Sequence, residues 1–166
     1  VIVCTTSKID KNNVIDYLNF PERIYPVGRL DKESTGLLLL TNNGQLMDDV
    51  LRGSNYHEKE YIVHVNKPIT DSVLQAMAQG VPILDTITRP CKIRRMGKDC
   101  FYITLTQGLN RQIRRMCEYF DYRVTSLKRI RIMIELGSLP VGKWRELTPS
   151  EIKTLKNLAQ NKGEAE

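Results

Sequence analysis

The sequence is poor in the residues that bind metal ions or form disulfide bonds. It has four cysteines, at positions 4, 91, 100 and 117, and two histidines, at positions 57 and 64. No two cysteines form a Cys-x-x-Cys pair, and the histidines add no spacing typical of a zinc site. We therefore expect no metal site, and we interpret the cysteines as reduced, mostly buried thiols of a cytosolic protein.

Long apolar runs are also missing. No stretch approaches the roughly 20 apolar residues that a membrane-spanning helix needs. The chain starts with VIVC, without a methionine or the basic stretch of a signal peptide. We expect a soluble, cytoplasmic protein with no membrane partner. Since the start has the pattern of a strand, we also expect the chain to be part of a longer protein.

Positive charge is in excess. The chain has 25 Lys and Arg residues against 19 Asp and Glu, a formal net charge of +6, and the basic residues cluster between positions 111 and 131. Basic side chains displace the counterions condensed on nucleic acid, so this balance favours a polyanionic partner. The length of 166 residues and the hydrophobic content of 41% are typical of one globular domain.

Hydrophobic periodicity and capping residues predict an α+β fold. Strands are expected at residues 1–5, 37–41, 59–66, 101–106 and 130–136, the second of them buried on both faces. Helices are expected at residues 14–18, 44–52, 71–79 after Thr70, 111–120 after Asn110, and following the capping box 148–151. The irregular order of these elements, without βαβ alternation, favours a mainly antiparallel mixed sheet flanked by helices.

A turn that leads into the apolar run at 37–41 carries Arg29 and Asp31. Polar groups held by a rigid element are typical of a functional site. On local chemistry alone, however, Asp31 is more typical of an aspartate that closes an Asx-turn. The turn therefore predicts a candidate carboxylate without deciding its role.

The helix predicted at 111–120 has one apolar face. Its apolar side chains recur at i, i+3, i+4 and i+7: Ile113, Met116, Cys117 and Phe120. At about 100° per residue, Arg111 and Arg115 lie opposite this face, whereas Arg114 lies at its border and can turn inward. A buried arginine needs a carboxylate, for which Asp31 is a candidate. The alternative is an Arg114 stem that lies along the surface with its charge in water.

The strand predicted at 59–66 begins with Lys59, Glu60 and Tyr61. Because side chains alternate along a strand, Lys59 and Tyr61 share one face and Glu60 points to the other. A tyrosine beside a cation could stack on a nucleic-acid base, although such a tyrosine is more often half-buried strand surface.

Three motifs in this order resemble those of the RsuA-type pseudouridine synthases. They are GRLD at 28–31 with its leucine-rich continuation, KEY at 59–61 and GLNRQIRRM at 108–116. The similarity continues through 127–129 and 142–147, and residues 80–84 and 115–118 look closest to the large-subunit branch. It implies a pseudouridine synthase fold with a central RNA-binding cleft. It also implies isomerisation of a specific, flipped-out uridine in 23S ribosomal RNA, with the C–N bond broken and a C–C bond formed, and no metal or organic cofactor.

The resemblance also implies roles for individual residues. Asp31 matches the catalytic carboxylate and Arg114 the arginine that pairs with it, while Tyr61 matches the tyrosine that stacks on the target uracil. Leu127 matches an apolar residue on the other side of the base, and Arg29 matches one that fills the gap left by the flipped nucleotide. Further RNA contacts are expected from Lys59, Asn110, Arg111, Arg115, Lys128 and Arg129.

Two departures from the family pattern qualify this expectation. The S4-like RNA-binding domain that usually comes first is missing, so we interpret residues 1–160 as a catalytic domain followed by a polar tail at 161–166. Asp121 stands where the family prefers glycine, at a helix end where a left-handed residue is expected. The expected partner is ribosomal RNA, bound by a monomer. The alternatives are a synthase for 16S ribosomal RNA or tRNA, and a non-catalytic RNA-binding protein of ribosome assembly.

Overall fold

The computed structural model describes residues 12–53 and 57–160, in which it has five helices and ten strands. The helices are α1 Val14–Leu18, α2 Gly44–Gly53, α3 Asp71–Gln79, α4 Gln112–Tyr119 and α5 Pro149–Gln160. The strands are β1 Tyr25–Val27, β2 Thr35–Gly36, β3 Leu39–Thr41, β4 Lys59–Val65, β5 Pro82–Ile83, β6 Thr86–Ile87, β7 Lys92–Arg95, β8 Cys100–Leu105, β9 Val124–Ile132 and β10 Ile134–Glu135. The strand predicted at 1–5 and the tail at 161–166 lie outside the described residues.

A six-stranded sheet forms the centre of the fold. Its order is β10-β9-β4-β8-β7, and β2 adds to β9 in parallel while all other neighbours in this sheet are antiparallel. The predicted fold class, a mainly antiparallel mixed sheet flanked by helices, is confirmed. On the central strand β4, Tyr61 is paired with Ile103 of β8 and Arg129 of β9. The middle of the sheet therefore places Tyr61 beside Arg129.

Two hydrophobic clusters hold the elements together. The first cluster lies between the sheet and helices α3 and α4, and it includes Phe101, Met77 and Met116, which are fully buried. The apolar face predicted for α4 is confirmed, since three of its four side chains are buried and the fourth, Phe120, packs against this cluster. The second cluster joins β3, β9, β10 and α5: Leu37, Leu39, Ile132, Ile134 and Leu155.

The strand predicted at 37–41 is shorter, because only Leu39–Thr41 forms a strand, and of these residues only Leu39 is buried, which corrects the prediction of burial on both faces. The chain bends after Gly36, where φ is +110°, so that β2 pairs with β9 while β3 pairs with β1 in a separate sheet. A Cβ atom at Gly36 would lie 2.6 Å from the backbone nitrogen of Arg129. Only glycine allows this close approach, which separates β2 from β3.

Two other predicted boundaries also differ. The strand predicted at 130–136 starts earlier, as β9, and is broken at Met133, whose φ is +61°. Helix α4 starts at Gln112 rather than Arg111, because Arg111 has φ +50° and takes the N-cap position with no side-chain cap. Asn110 is therefore not the cap; its Oδ1 accepts a hydrogen bond from Arg115 Nη2 at 3.1 Å instead.

The other caps form as the sequence predicts. Thr70 Oγ1 accepts from the backbone nitrogen of Val73 at the start of α3. In the capping box of α5, the backbone nitrogen of Glu151 donates to Thr148 Oγ1 at 3.2 Å, and that of Thr148 donates to Glu151 Oε1 at 2.9 Å. Asp121 adopts φ +65°, the left-handed conformation expected where the family prefers glycine.

The cysteines that the structure describes are free thiols. Cys100 and Cys117 are buried and Cys91 is half-buried, as predicted, while Cys4 lies outside the described residues. Burial raises the pKa of Cys117 to about 12 and that of Cys91 to about 11, so both thiols stay protonated at neutral pH. Among residues 12–53 and 57–160, no helix combines the length and the apolar character that crossing a membrane would require.

Candidate active site

A cleft of about 690 Å³ lies over strands β4 and β9, between residues 27–34 on one side and 107–113 on the other. Its volume falls in the range in which proteins enclose small-molecule ligands. Eight of the eleven residues predicted for the site line it: Arg29, Asp31, Lys59, Tyr61, Asn110, Arg111, Leu127 and Arg129. The remaining three, Arg114, Arg115 and Lys128, lie outside its lining.

Asp31 lies in a turn on the first wall of the cleft. The backbone carbonyl of Asp31 accepts from the backbone nitrogen of Ser34 at 2.9 Å, which closes the turn without the carboxylate. The side chain is 36% exposed, and its ion pair within the described part of the chain is with Arg111, with Oδ2 4.0 Å from Nη1. The carboxylate is thus held at the cleft by its backbone and left available to a ligand.

Arg114 turns inward, as the helix geometry allows, and is 9% exposed. Its Nη2 donates to Ser34 Oγ at 3.3 Å, and its buried Nε has no hydrogen-bond partner among the described residues. The direct ion pair with Asp31 suggested by the sequence is not made: Arg114 binds Ser34, three residues further along, and Asp31 faces Arg111. Arg114 therefore reaches the same turn as Asp31 and keeps unused donor capacity.

Arg111 extends from the start of α4 to the opposite wall of the cleft. Its Nη1 donates to Glu33 Oε2 at 3.1 Å. The position of Arg111 opposite the apolar face of the helix predicts that it points to solvent or RNA, but it also binds this carboxylate. A backbone hydrogen bond at Glu33 and the bond from Arg111 hold the pKa of the Glu33 carboxyl below its usual value. Glu33 and Ser34 were not predicted, although both lie within three residues of Asp31 and carry the polar groups that meet α4.

Lys59 and Tyr61 lie side by side at the bottom of the cleft, and Glu60 faces away toward Arg131 and Thr104, as predicted. Burial raises the pKa of the Tyr61 phenol, the Arg129 guanidinium partly opposes this, and the Asp31 carboxylate raises it again. Burial lowers the pKa of Lys59, and the charge of Arg129 lowers it further. Tyr61 is therefore a neutral hydrogen-bonding group at neutral pH.

Arg129 is buried, with 5% of its surface exposed. Its Nε and Nη2 donate to the carbonyl of Leu37 at 2.9 and 2.8 Å, and its Nη1 donates to the carbonyl of Arg29 at 3.4 Å. Arg129 lines the cleft while its guanidinium binds backbone carbonyls, and its expected contact with RNA stays a prediction. The alternation of side chains along β9 places Arg129 on the same buried face as Leu127. Hydrogen bonds to the carbonyls of Leu37 and Arg29, which are far away in sequence, offset the cost of burying its charge.

Two further predicted RNA contacts lie away from the cleft. Arg115 donates to the carbonyl and to Oδ1 of Asn110, at 3.0 and 3.1 Å, on the exposed side of α4. Lys128 is paired with Ile62 on the opposite face of the sheet from Leu127. Their contacts with RNA stay predictions. No cluster of three or more metal-binding side chains occurs among the described residues.

The sequence of this chain is similar to those of known proteins. The family model of RNA pseudouridylate synthases matches residues 3–119. The dual-specificity RNA pseudouridine synthase RluF of Salmonella typhi is 52% identical over 160 residues, which make up 96% of this chain and 55% of that protein. Ribosomal large subunit pseudouridine synthase B of Bacillus subtilis is 34% identical over 169 residues, which cover 96% of this chain and 69% of that protein.

A solved structure supports the fold. The crystal structure of a pseudouridylate synthase superposes with a TM-score of 0.82 and 30% identity, over 93% of this chain and 69% of that one. The chain spans about half the length of the Salmonella relative.

Proposed function

The chain belongs to the RNA pseudouridylate synthase family, in agreement with the resemblance of its motifs to the RsuA-type members, and we propose that it isomerises a specific uridine of 23S ribosomal RNA to pseudouridine. The observation that carries the proposal is one cleft that brings together a carboxylate, a phenol and an apolar side chain: Asp31, Tyr61 and Leu127. The name of the Bacillus relative, which refers to the large ribosomal subunit, supports the choice of RNA.

The cleft suits a single nucleotide that has left its stack. Extruding a base from RNA costs a few kcal/mol, which contacts inside the site must offset. Stacking on an aromatic ring contributes about 1–3 kcal/mol per base, and Tyr61 offers such a ring. Leu127 gives the base an apolar contact, and Arg29 takes the place that the nucleotide vacates. Because burial keeps the Tyr61 phenol protonated, the ring adds no negative charge against RNA.

The reaction needs one carboxylate and a balanced exchange of bonds. The bond between C1′ of the ribose and N1 of uracil breaks, the uracil rotates, C5 bonds to C1′ and loses its proton, and N1 gains a proton. Asp31 acts either as a nucleophile toward the sugar or the ring, or as the base that starts formation of a glycal. Tyr61, whose phenol is protonated at neutral pH, takes part in the removal of the C5 proton as a hydrogen-bonding group beside the ring. The product is an isomer of the substrate, so the proposal requires no cofactor.

Two arginines, Arg111 and Arg114, lie close enough to the turn of Asp31 to interact with its carboxylate. Arg111 lies 4.0 Å from Asp31 and also holds Glu33, so an incoming phosphate group competes with both acids for its guanidinium. Arg114 has a buried Nε without a partner among the described residues, and a buried guanidinium favours a carboxylate nearby. We propose that Asp31 pairs with Arg114 once RNA has drawn Arg111 away. Lys59, Asn110, Arg115 and Lys128 complete the proposed RNA contacts.

Replacement of Asp31 by asparagine tests the function. Asparagine keeps the size of the side chain and removes its charge, so we expect release of tritium from RNA with 5-tritiated uridine to fall to background while RNA affinity stays close to wild type. Asp99→Asn, at an exposed position outside the cleft, is the matched control and should release tritium at the wild-type rate. Activity near wild type in the Asp31 variant would exclude the proposed chemistry.

The choice of RNA has its own test. Chemical labelling of pseudouridine in RNA from a strain that lacks the gene should show one missing modification in 23S ribosomal RNA. A missing modification in 16S ribosomal RNA or tRNA would keep the reaction and change the substrate. RNA binding without any tritium release by the wild type would instead support the non-catalytic ribosome-assembly protein. A monomeric catalytic domain at residues 1–160, working in the cytoplasm, remains part of the proposal.

A further inference from the structure

Residues 28–37, here called the aspartate segment, reach strand β9 where Thr35 is paired with Lys128 and Gly36 with Arg129, and most of the contacts are with Arg129. Gly36 is paired with Arg129 in the parallel ladder of β2 and β9, and the backbone nitrogen of Leu37 donates to the carbonyl of Arg129 at 2.8 Å. The side chain of Arg129 then returns to the same segment, at the carbonyls of Leu37 and Arg29. One residue thus binds both ends of the segment that carries Asp31.

The geometry of these bonds requires a guanidinium. Nε and Nη2 form a fork on the carbonyl of Leu37, and Nη1 reaches the carbonyl of Arg29, so the donors point at two different acceptors. A lysine ammonium is a compact charge without this planar fork and would hold one end of the segment at a time. The bonds span 92 and 100 positions in sequence, so no local preference of the chain can replace them.

The positive charge of Arg129 also reaches the bottom of the cleft. The guanidinium acts on the Tyr61 hydroxyl through its charge and through hydrogen bonding, and its charge acts on Lys59. Arg129 therefore binds the backbone of the segment that carries Asp31, and it also partly opposes the rise that burial causes in the pKa of the Tyr61 phenol.

We propose that Arg129 is a positioning residue for the isomerisation, one that fixes the aspartate segment against β9 and so sets the placement of Asp31 relative to Tyr61. The inference rests on the function proposed above. It gives Arg129 a role inside the protein, distinct from that of a phosphate-binding arginine. Misplacement of a reacting group by about 1 Å can reduce a rate by about 100-fold, so a loosened segment affects the chemical step more than RNA binding.

A second arginine provides a matched control. Arg95 donates to three backbone carbonyls, those of Ile69, Gly97 and Lys98, and it also binds Asp71. Like Arg129 it joins separate parts of the backbone, but it lies on β7, at the far edge of the sheet, and does not line the cleft. Its loss should lower stability without moving the aspartate segment.

The experiment compares Arg129→Lys and Arg129→Met with Arg95→Lys and Arg95→Met in the 166-residue chain. Four quantities are measured: the melting temperature, the affinity for a 23S ribosomal RNA fragment, the single-turnover rate of tritium release with enzyme in excess, and amide hydrogen exchange in residues 28–37. For Arg129→Met we expect a rate about 100-fold lower, an affinity within about threefold of wild type and faster exchange in the segment. Arg129→Lys should recover part of the rate, and both Arg95 variants should keep the rate within about twofold.

Three results would overturn the inference. The first is a folded Arg129→Met with a wild-type rate, and, if that variant does not fold, an Arg129→Lys with a wild-type rate decides in the same way. The second is a rate that falls only in proportion to the folded fraction, as it would for a merely structural arginine. The third is unchanged exchange in residues 28–37. If the wild type releases no tritium, the proposed function fails, and exchange alone then decides whether Arg129 holds the segment.

Discussion

Replacement of Gly36 by alanine would show how tightly the aspartate segment is bound to the sheet. Alanine at φ +110° is strained, and its Cβ would collide with the carbonyl oxygen of Arg129 and lie 2.9 Å from the carbonyl carbon. The strain costs about 1–3 kcal/mol, and contact with a backbone that β4 holds in place adds about 1–3 kcal/mol. The lower entropy of the unfolded alanine chain returns about 0.4–1 kcal/mol. The net loss of stability is therefore about 2–5 kcal/mol.

For a chain of this size, each kcal/mol lowers the melting temperature by about 2–4 °C, so calorimetry should find a fall of about 4–20 °C in Gly36→Ala. The control is Gly137→Ala, because Gly137 also has a positive φ, of +63°, but no atom within 4 Å of its added Cβ. That variant should lose only the cost of the left-handed conformation, about 1 kcal/mol. Equal falls in the two variants would refute the close packing of Gly36 on Arg129.

Two further variants test the core and the last helix. Met116→Ala, at a fully buried position, should lose about 2–5 kcal/mol in urea unfolding, while exposed Met96→Ala should lose almost nothing, and similar losses would contradict the packing of α4. Hydrogen bonds from Arg145 lower the pKa of Glu151 from 4.5 to about 2, so the ionised carboxylate stabilises the fold above pH 4.5 and this contribution is lost as the pH falls toward 2. Glu151→Gln should therefore melt below wild type at neutral pH, with a difference that shrinks over that acidic range; a difference independent of pH would contradict the assignment.

The sequence predicts best what depends on neighbouring residues. The apolar face of α4, the alternation of Lys59 and Tyr61 and the reciprocal cap of Thr148 and Glu151 are all local patterns, and all form as expected. Local propensity also favours Asn110 as a helix cap, but the chain places Arg111 there in a left-handed conformation. That conformation goes together with the bond from Arg111 to Glu33, 78 positions away, which no local pattern contains.

In the candidate site, too, local patterns are predictable from the sequence and contacts between distant residues are not. Spacing within α4 identifies Arg114 as the arginine that can turn inward, because helix geometry needs only one turn of chain. Arg129 could not be predicted as buried, since an arginine in a basic segment is normally exposed, and its acceptors come from a turn about a hundred positions earlier. The strand predicted at 37–41 starts only at Leu39 for a related reason, because Leu37 bonds to Arg129 of β9 whereas Leu39–Thr41 pair with β1.

The attachment of the aspartate segment to Arg129 also determines when, during synthesis of the chain, the active-site cleft can form. Bonds across 92 positions require closure of a long loop. Contacts of this kind form late in folding, because the chain loses the entropy of the open loop before the contacts can stabilise the structure. A ribosome synthesises the chain from its N-terminus, so Asp31 emerges long before Arg129. A growing chain that already contains the carboxylate, the tyrosine and helix α4 thus still lacks the strand that holds the carboxylate in place. The cleft is assembled only when β9 has joined the sheet.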